Sequence, residues 1–385
     1  MIEGNGTKMT MEQDYYPNLY HYRLGKNLLG GLSIKDQEEK VTTFIQRKCN
    51  SENLHFFIGS GCSLPAVPLM GWTFDKLKKG ILQEEVLGDY SGESLDIENY
   101  LNWLKNAITF LGEETQEGIK FKNAFDTTKK GLLDSMPKGH VKGINKEIDV
   151  ALDNYRDFYS TIFSQREFKK MAPVNVFTTN YDLFNEVAME NLGIQYTNGF
   201  RGSVNRVFDP SVYRLRLVDD ENRYKDKWNV IRRYVKLYKI HGSIDWKYNE
   251  TINSIVQSNS DENADVMIYP TINKHLETQQ SPYSELFREL TINLQKKNST
   301  LIVVGYGFPD THINQLITQA LNNEDFNLIV FGNKEEIAAS QFFDLHKEKR
   351  NFHFIGGNFS GKADGHHFKN VIRFLSGSEQ YAQSK

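Results

Sequence analysis

Cysteine is nearly absent from this sequence: of 385 residues, only Cys49 and Cys62 are cysteines. Two cysteines cannot form the disulfide framework of a small secreted domain, and they cannot supply a four-cysteine zinc site. We therefore expect no zinc in this protein, and we predict no other metal site.

Long hydrophobic runs and an excess of positive charge are also missing. No run of about 18 apolar residues occurs anywhere, and residues 1–16 lack the basic and apolar regions of a signal peptide. We expect a cytoplasmic protein without a membrane partner. The formal net charge of -3 argues against direct binding of nucleic acid. The locally basic stretch Arg201–Lys239 could meet a partner, a nucleic acid or only solvent, and this choice stays open.

What the sequence does contain is a globular composition, with 39% hydrophobic and 25% charged residues, and a series of short apolar runs. These runs have the length of strands, and several are continuously apolar, as in strands covered on both faces. The predicted strands are His55–Ile58, Val174–Thr178, Val235–Ile240, Val266–Tyr269, Thr300–Val304, Leu328–Phe331 and Phe352–Ile355. The helical patterns between them are Tyr181–Leu192, Pro282–Gln295, Thr311–Leu321 and Lys334–Leu345.

The alternation of strands and helices predicts an α/β fold with a Rossmann-like, doubly wound and mainly parallel sheet. One interval departs from it: residues 61–173 separate the first two strands, far more than a crossover needs. Apolar residues repeat there at helical spacing in two stretches, Ile97–Leu111 and Ile148–Ile162. We therefore predict a helical insertion after the first strand, at about residues 72–170.

Four polar turns follow predicted strands of this sheet. Their sequences are GSGCS at 59–63, TTNYD at 178–182, KIHGS at 239–243 and VVGYGFPDTHI at 303–313. The carboxyl ends of parallel strands form the ligand-binding edge of open α/β sheets. Each turn alone is compatible with ordinary turn chemistry, but side chains from four such turns should converge in one crevice.

The glycine turn at 59–63 favours a dinucleotide ligand. Gly59 and Gly61 permit close backbone approach, so backbone amides and the start of the next helix could face a pyrophosphate. No Lys-Ser or Lys-Thr pair follows at P-loop spacing, and the third glycine and the distant acid of the nicotinamide redox fingerprint are missing. A bound dinucleotide is therefore expected, whereas hydride transfer is not.

Three residues in the middle turns are candidates for chemistry. Asn180 offers an amide donor and an acceptor in a fixed direction, which suits a ribose hydroxyl or a water. Asp182 could contact a ribose or the cationic nicotinamide ring, and its structural alternative is to cap the helix that begins near Tyr181. His241 ends a buried strand beside a glycine, where an imidazole that titrates near neutrality is the expected general base. Its alternative is a structural histidine.

Taken in this order, the four turns resemble those of the SIR2-like, sirtuin-related family of NAD-binding domains. The resemblance covers about residues 50–375. It implies that Asn180 and His241 are catalytic, with His241 as the base. It also implies contacts with NAD from a further set of residues: Gly59, Ser60, Gly61 and Ser63 at the pyrophosphate, Asp182 at the nicotinamide ribose, and Gly305 and Asn333 near the adenosine.

Departures from the family pattern narrow the function that the resemblance implies. Sirtuin deacylases normally carry a four-cysteine zinc ribbon, which this chain cannot build. The acid-containing second half of the family's first motif is replaced by Val67–Trp72, which has no acid. GYGFPDTHI is the form associated with bacterial SIR2-like effectors, which hydrolyse NAD+ during phage infection. The resemblance therefore implies an NAD+ hydrolase, or NADase, that releases nicotinamide and ADP-ribose in antiphage defence.

The resemblance also bears on partners. Effectors of this type are fused to other domains or paired with Argonaute-like proteins or with a HerA-type hexameric ATPase. Because the chain carries no sizeable extra domain, we expect a homo-oligomer that works with a separate partner, a HerA-type ATPase first. Two alternatives stay open: an NAD-dependent deacylase or ADP-ribosyltransferase, and a non-catalytic sensor of NAD or ADP-ribose.

The expected domain organisation has three parts. Residues 1–50 form an N-terminal extension whose tyrosine cluster, YYPNLYHY at 15–22, suits an oligomerisation arm. Residues 51–375 form the SIR2-like domain, and residues 376–385 form a flexible tail. Since the helical insertion follows the glycine turn, it could cover the pocket as a lid.

Overall fold

The computed structural model of the protein describes residues 18–80, 82, 84–92, 97–137, 143, 145–166, 172–258, 281–359 and 362–377. The strands in these ranges are β1 (Asn18–Arg23), β2 (Lys26–Asn27), β3 (Asn53–Ile58), β4 (Val174–Thr178), β5 (Gln195–Thr197), β6 (Phe200–Arg201), β7 (Arg206–Phe208), β8 (Val218–Tyr224), β9 (Lys227–Val230), β10 (Tyr234–Lys239), β11 (Trp246–Asn249), β12 (Ser254–Gln257), β13 (Ser299–Val304), β14 (Phe326–Phe331) and β15 (Phe352–Asn358).

The helices in the same ranges surround these strands. They are α1 (Ile34–Cys49), α2 (Met70–Gly80), α3 (Glu84–Gly88), α4 (Ile97–Leu111), α5 (Gln116–Asp134), α6 (Lys146–Gln165), α7 (Phe184–Asn191), α8 (Tyr283–Leu294), α9 (Thr311–Ala320), α10 (Ile337–His346) and α11 (Phe368–Ser376). Two short 3₁₀ helices span Ser60–Ser63 and Pro210–Arg214. None of the described helices is long and apolar enough to cross a membrane.

Nine strands form one sheet in the order β2-β1-β15-β14-β13-β3-β4-β10-β5. The strands from β15 to β5 are parallel, and β1 and β2 add an antiparallel edge. Helices cover both faces of the sheet, so central strands such as β4 and β13 are buried along their whole length. The predicted Rossmann-like α/β fold with a mainly parallel sheet is confirmed.

The apolar runs identified the elements of this sheet well. Six of the seven predicted strands are present, as β3, β4, β10, β13, β14 and β15. The seventh, Val266–Tyr269, lies outside the described residues. The four helical patterns correspond to α7, α8, α9 and α10, with α7 beginning three residues later than predicted, at Phe184.

The two faces of the sheet have separate cores. Side chains of α1, α6, α7 and α11 pack on one face, and those of α8, α9 and α10 pack on the other. Helix α6 was predicted as part of the insertion, but its buried residues Leu152, Tyr155 and Tyr159 pack against the sheet. The inserted module is therefore shorter than residues 72–170. It consists of α2 to α5, which enclose a third core around Phe74 and Tyr100.

The N-terminal segment is part of the same sheet, which the sequence did not predict. Strand β1 pairs with β15, and α1 packs beside it. Two tyrosines of the predicted arm are engaged within the chain: the Tyr20 hydroxyl donates to the Gly332 carbonyl at 2.9 Å, and the Tyr22 ring contacts Phe343. Residues 1–17 lie outside the described part, and an oligomerisation role for residues 1–50 stays a prediction.

The basic stretch Arg201–Lys239 contains short strands that the sequence did not predict. Strands β6 and β7 join β11 and β12 in a four-stranded antiparallel sheet, and β8 pairs with β9 in a separate hairpin. These strands have two to seven residues and little apolar alternation. Their sequences therefore lacked the signal that identified the central sheet.

Two buried histidines lie at the junction of β1 and β15. His21 Nε2 is 2.9 Å from His353 Nδ1, and burial lowers the pKa of His21 to about 4 and that of His353 to about 2. An exposed imidazole in the unfolded chain titrates near pH 6.5, so the unfolded chain binds more protons than the folded protein at acidic pH. The stability from these neutral rings is complete above about pH 6.5 and is lost as the pH falls towards the folded-state pKa, about 4 for His21 and about 2 for His353.

We expect His21→Asn to reduce the acid sensitivity of the fold. The wild type should lose unfolding free energy between about pH 7 and pH 4.5, because the pKa of His21 falls from 6.5 in the unfolded chain to about 4 in the fold. In His21→Asn this loss should be smaller by up to ~3 kcal/mol. Urea unfolding of both proteins at the two pH values measures this difference. His367→Asn, at an exposed position, is the control. An equal pH dependence for wild type and His21→Asn would contradict the assignment.

Candidate active site

The four polar turns leave the sheet at one level. Strands β13, β3, β4 and β10 are neighbours, and their register places the terminal residues Val304, Ile58, Thr178 and Lys239 in one row. The turns that follow therefore meet, as expected for the carboxyl edge of an open α/β sheet. Between them lies a cavity of about 250 Å³.

Asn180 connects the second turn to the first. Its Nδ2 atom donates to the Gly59 carbonyl and the Ser63 hydroxyl, both at 3.0 Å, and lies 3.3 Å from the Tyr155 hydroxyl of α6. Its Oδ1 atom is buried and has no hydrogen-bond partner among the described residues. A buried acceptor is stabilised when it receives a hydrogen bond. Because Asn180 also lines the cavity, a ligand hydroxyl or a water could supply that bond.

Ser63 and Asp182 are held by each other and by the backbone. The Ser63 hydroxyl donates to Asp182 Oδ2 at 2.7 Å, and Asp182 Oδ1 accepts from the Phe184 amide at the first turn of α7. Both side chains line the cavity, with Asp182 only 2% exposed. The N-cap of α7 is Leu183 and not Asp182, so the helix-capping alternative is wrong in its position, although Asp182 does accept from the first residue of that helix.

The glycines of the first and fourth turns pack directly against each other. The Gly61 amide donates to the Gly305 carbonyl and the Gly59 amide to the Val304 carbonyl, each at 2.9 Å. A Cβ atom on Gly59 would lie 2.3 Å from the Gly305 oxygen, and Gly305 itself has a φ of +66°. Both amides are therefore engaged within the protein and not directed at a ligand. Ser60 is exposed and lines the cavity.

The segment after the glycines also differs from the expected helix start. Ser60–Ser63 form a single 3₁₀ turn, and α2 begins only at Met70. The thiol of Cys62 in this turn is buried and lies 3.4 Å from the Val304 carbonyl. Burial raises the pKa of Cys62 well above its ordinary value, so this cysteine is a protonated packing residue.

His241 and Asp310 face each other across the cavity. His241 Nε2 lies 3.9 Å from Asp310 Oδ1, and both side chains are more than nine-tenths buried. Asp310 immediately precedes α9, and its Oδ2 atom lies 3.5 Å from the Tyr306 hydroxyl. All three residues line the cavity. The third and fourth turns thus bring an imidazole and a carboxyl group into one buried space.

Lys239 fixes the third turn against the second. Its buried Nζ atom donates to the carbonyl oxygens of Tyr181 and Asp182 and lies 3.3 Å from Glu186 Oε1. The Ile244 amide also donates to the Tyr181 carbonyl, at 3.1 Å. Burial raises the pKa of Glu186 to about 7, against the lowering effect of Lys239. The position of His241, two residues after Lys239, is thus tied to the turn that carries Asn180.

The inserted module supplies one wall of the cavity. Val67, Pro68 and Met70 come from the segment that leads into α2, and Leu132, Ser135 and Met136 come from the end of α5. Most of these side chains are apolar. The insertion therefore forms part of the boundary of the cavity that Asn180 and His241 also line, and its role as a lid stays a prediction.

The structure brings most of the predicted site residues together. Ser60, Ser63, Asn180, Asp182 and His241 line the cavity, and Gly59, Gly61 and Gly305 pack directly beside it. Asn333 does not line it: its Oδ1 accepts from the Glu335 amide in the turn after β14.

Sequence reasoning missed other residues of the cavity. Asp310, Tyr306 and Tyr181 were within the quoted turns but were given no role, and the hydroxyl of Tyr155 reaches Asn180 from α6. Asp310 could have been found, because it is the only acid in the fourth turn, VVGYGFPDTHI.

In the described ranges, no cluster of three or more His, Cys, Asp or Glu side chains could hold a metal ion. Cys49 and Cys62 are both buried free thiols.

Comparison with known protein families gives a match over part of the chain. A family model described as SIR2-like domain matches residues 174–355, from β4 to β15. It includes Asn180, Asp182, His241, Gly305 and Asn333 and leaves out the first glycine turn. The match supports the SIR2-like family, whose domains bind NAD and are generally NAD-dependent enzymes. The chain matched no curated protein.

The contact between the two glycine turns predicts the effect of adding a methyl group. Gly59→Ala should lower the free energy of unfolding by ~1–3 kcal/mol, because the new Cβ atom overlaps backbone atoms that cannot rotate away. Gly307→Ala is the matched control, since its Cβ atom would meet only Glu336 Oε2, at 3.5 Å. Urea unfolding of both variants measures the difference. Equal losses would show that the turns can separate without cost.

Proposed function

We propose that the protein is an NAD+ glycohydrolase that cleaves NAD+ into nicotinamide and ADP-ribose. The observation that carries this proposal is the cavity in which Asn180 and His241 meet: one offers a buried amide oxygen without a described partner, and the other an imidazole. The SIR2-like match supports NAD as the substrate. The cavity has the polar groups that a hydrolysis needs and a largely apolar wall that limits water.

The chemistry of NAD+ determines what these residues must do. Nicotinamide is already a cationic leaving group, so the bond between its nitrogen and ribose C1′ can break without a proton donor. The bonding electrons pass to the ring nitrogen, and positive charge develops on the ribose. A water oxygen then bonds to C1′, and His241 accepts one of its protons. Asn180 would orient a ribose hydroxyl or this water through Oδ1.

The size of the cavity indicates which half of the substrate it takes. Its volume of about 250 Å³ is below the ~300–1,000 Å³ of pockets that enclose a whole drug-sized ligand. We place the nicotinamide ribose inside and the pyrophosphate at Ser60. From there the adenosine would pass Gly307 towards the turn that carries Asn333, since a Cβ atom on Gly307 would lie 3.5 Å from Glu336 of that turn.

The biological role that we propose is antiphage defence with a separate partner, a HerA-type ATPase first, in a homo-oligomeric assembly. An NADase must be inactive before infection, and the wall formed by Leu132, Ser135 and Met136 is positioned to control entry. The resemblance of GYGFPDTHI to bacterial effectors supports this assignment. Native mass measurements, with and without the partner, test the assembly directly.

The enzymatic proposal is tested by incubating the protein with NAD+ and no acceptor protein. We expect the protein to release equal amounts of nicotinamide and ADP-ribose. Chromatography of the reaction mixture measures both products. His241→Ala should reduce turnover at least ~10²-fold, because general base catalysis contributes about that much or more. The matched control is His312→Ala, since His312 contacts Phe287 and does not line the cavity.

Each outcome separates this proposal from its alternatives. A deacylase or ADP-ribosyltransferase would release nicotinamide only when an acylated or acceptor protein is added. A sensor would bind NAD+ without turnover, whether or not the partner protein is present. Full activity in folded His241→Ala would remove His241 as the base.

A further inference from the structure

Two carboxyl groups line the cavity, and their surroundings differ. Asp182 receives hydrogen bonds on both oxygens, from the Ser63 hydroxyl and the Phe184 amide. Asp310 makes no side-chain capping bond to the helix that follows it. Its Oδ1 atom instead lies 3.9 Å from His241 Nε2. Of the two carboxyl groups, Asp310 is therefore the one placed beside the candidate base.

The distance between His241 Nε2 and Asp310 Oδ1 suits a bridging water. At 3.9 Å, His241 Nε2 and Asp310 Oδ1 are too far apart for a direct hydrogen bond. An oxygen atom at ~2.8 Å from each of them, the usual hydrogen-bond length, fits between them. A water there can donate one proton to the imidazole nitrogen and the other to the carboxylate. The pair thus has the spacing of a two-acceptor site for one water.

We propose that Asp310 is a second catalytic residue, and that Asp310 and His241 together bind the water that attacks ribose C1′. This inference rests on the proposed NAD+ hydrolysis. As the water oxygen bonds to C1′, the bond from C1′ to the nicotinamide nitrogen breaks and its electrons leave with nicotinamide. The proton that faces Nε2 passes to His241. Asp310 holds the other proton by a hydrogen bond, stays ionised and stabilises the imidazolium that forms.

The surroundings of the pair support this role for Asp310. The Tyr306 hydroxyl lies 3.5 Å from Asp310 Oδ2 and 3.3 Å from Asn314 Oδ1, so it can help to fix the carboxylate through the oxygen other than Oδ1. The other titratable side chains that line the cavity are Tyr181 and Asp182. The nearby cation Lys239 is engaged with backbone carbonyls and Glu186.

The decisive variant is Asp310→Asn, assayed for nicotinamide release under the conditions in which the wild type is active. Asparagine keeps the shape and the helix-start preference of aspartate but cannot accept the water proton with a full charge. We expect kcat to fall ~10²-fold or more, with KM for NAD+ changed by less than about threefold. The acid limb of the pH profile of kcat should move to lower pH by up to ~1 unit, because an ionised neighbour raises the pKa of an imidazole.

Two further variants complete the test. Asp209→Asn is the matched control, since Asp209 also precedes a short helix but does not line the cavity; it should keep wild-type kcat. Asp310→Glu keeps the charge and moves it by one methylene group. It should lower kcat while the acid limb of the pH profile of kcat stays at the same pH. If Asp310→Asn does not fold, Asp310→Glu is the variant that tests the proposal.

The results distinguish the two proposals. Wild-type kcat in Asp310→Asn, a change in KM alone, or a lowered kcat with an unchanged pH profile would each overturn the role of Asp310 and leave the hydrolase intact. A wild type that releases no nicotinamide, with or without its partner, would overturn both.

Discussion

The backbone contact between the turns after β3 and β13 is the constraint on which the arrangement of the cavity depends. Gly59, Gly61 and Gly305 lie too close for side chains, so the two turns pack main chain against main chain. Asn180 then binds the Gly59 carbonyl and ties the next strand to this pair. Lys239 extends the connection to the fourth strand through the Tyr181 and Asp182 carbonyls. The position of His241 is thus determined by contacts that begin at three glycines.

This connection separates residues that hold the site from residues that are available to a substrate. Ser63 and Asp182 bind each other and the start of α7, while the amides of Gly59 and Gly61 bind β13 and its turn. The cavity beside this network is lined by Ser60, by Asn180, whose Oδ1 has no hydrogen-bond partner among the described residues, and by the facing pair of His241 and Asp310. A buried polar network that is fully bonded gives rigidity. The hydrogen bonds of Ser63, of Asp182 and of the two glycine amides therefore help to hold the turns around the cavity in place.

The sequence predicted the fold more completely than the site. Continuous apolar runs such as VNVFT, Val174–Thr178, identified the buried strands, since helices cover both of their faces. Strand β1 was missed because NLYHYR has polar and aromatic residues where apolar ones were sought. The site required knowledge of register: only the row of Ile58, Thr178, Lys239 and Val304 shows that Asp310 meets His241. The spacing of residues along the chain does not reveal the distance between Asp310 and His241.

The charges around the cavity argue for a reaction of a cationic group. In the described part of the chain, the cavity is lined by Asp182 and Asp310 but by no Lys or Arg. A pyrophosphate gains little from such an environment, which agrees with its proposed position at the rim near Ser60. A nicotinamide ring that carries positive charge, and a ribose that gains it as the bond breaks, are both stabilised by nearby carboxylates. The one buried cation close by, Lys239, donates to backbone carbonyls and pairs with Glu186. Lys239 does not line the cavity, so the residues that line it keep a negative bias where we propose that the glycosidic bond breaks.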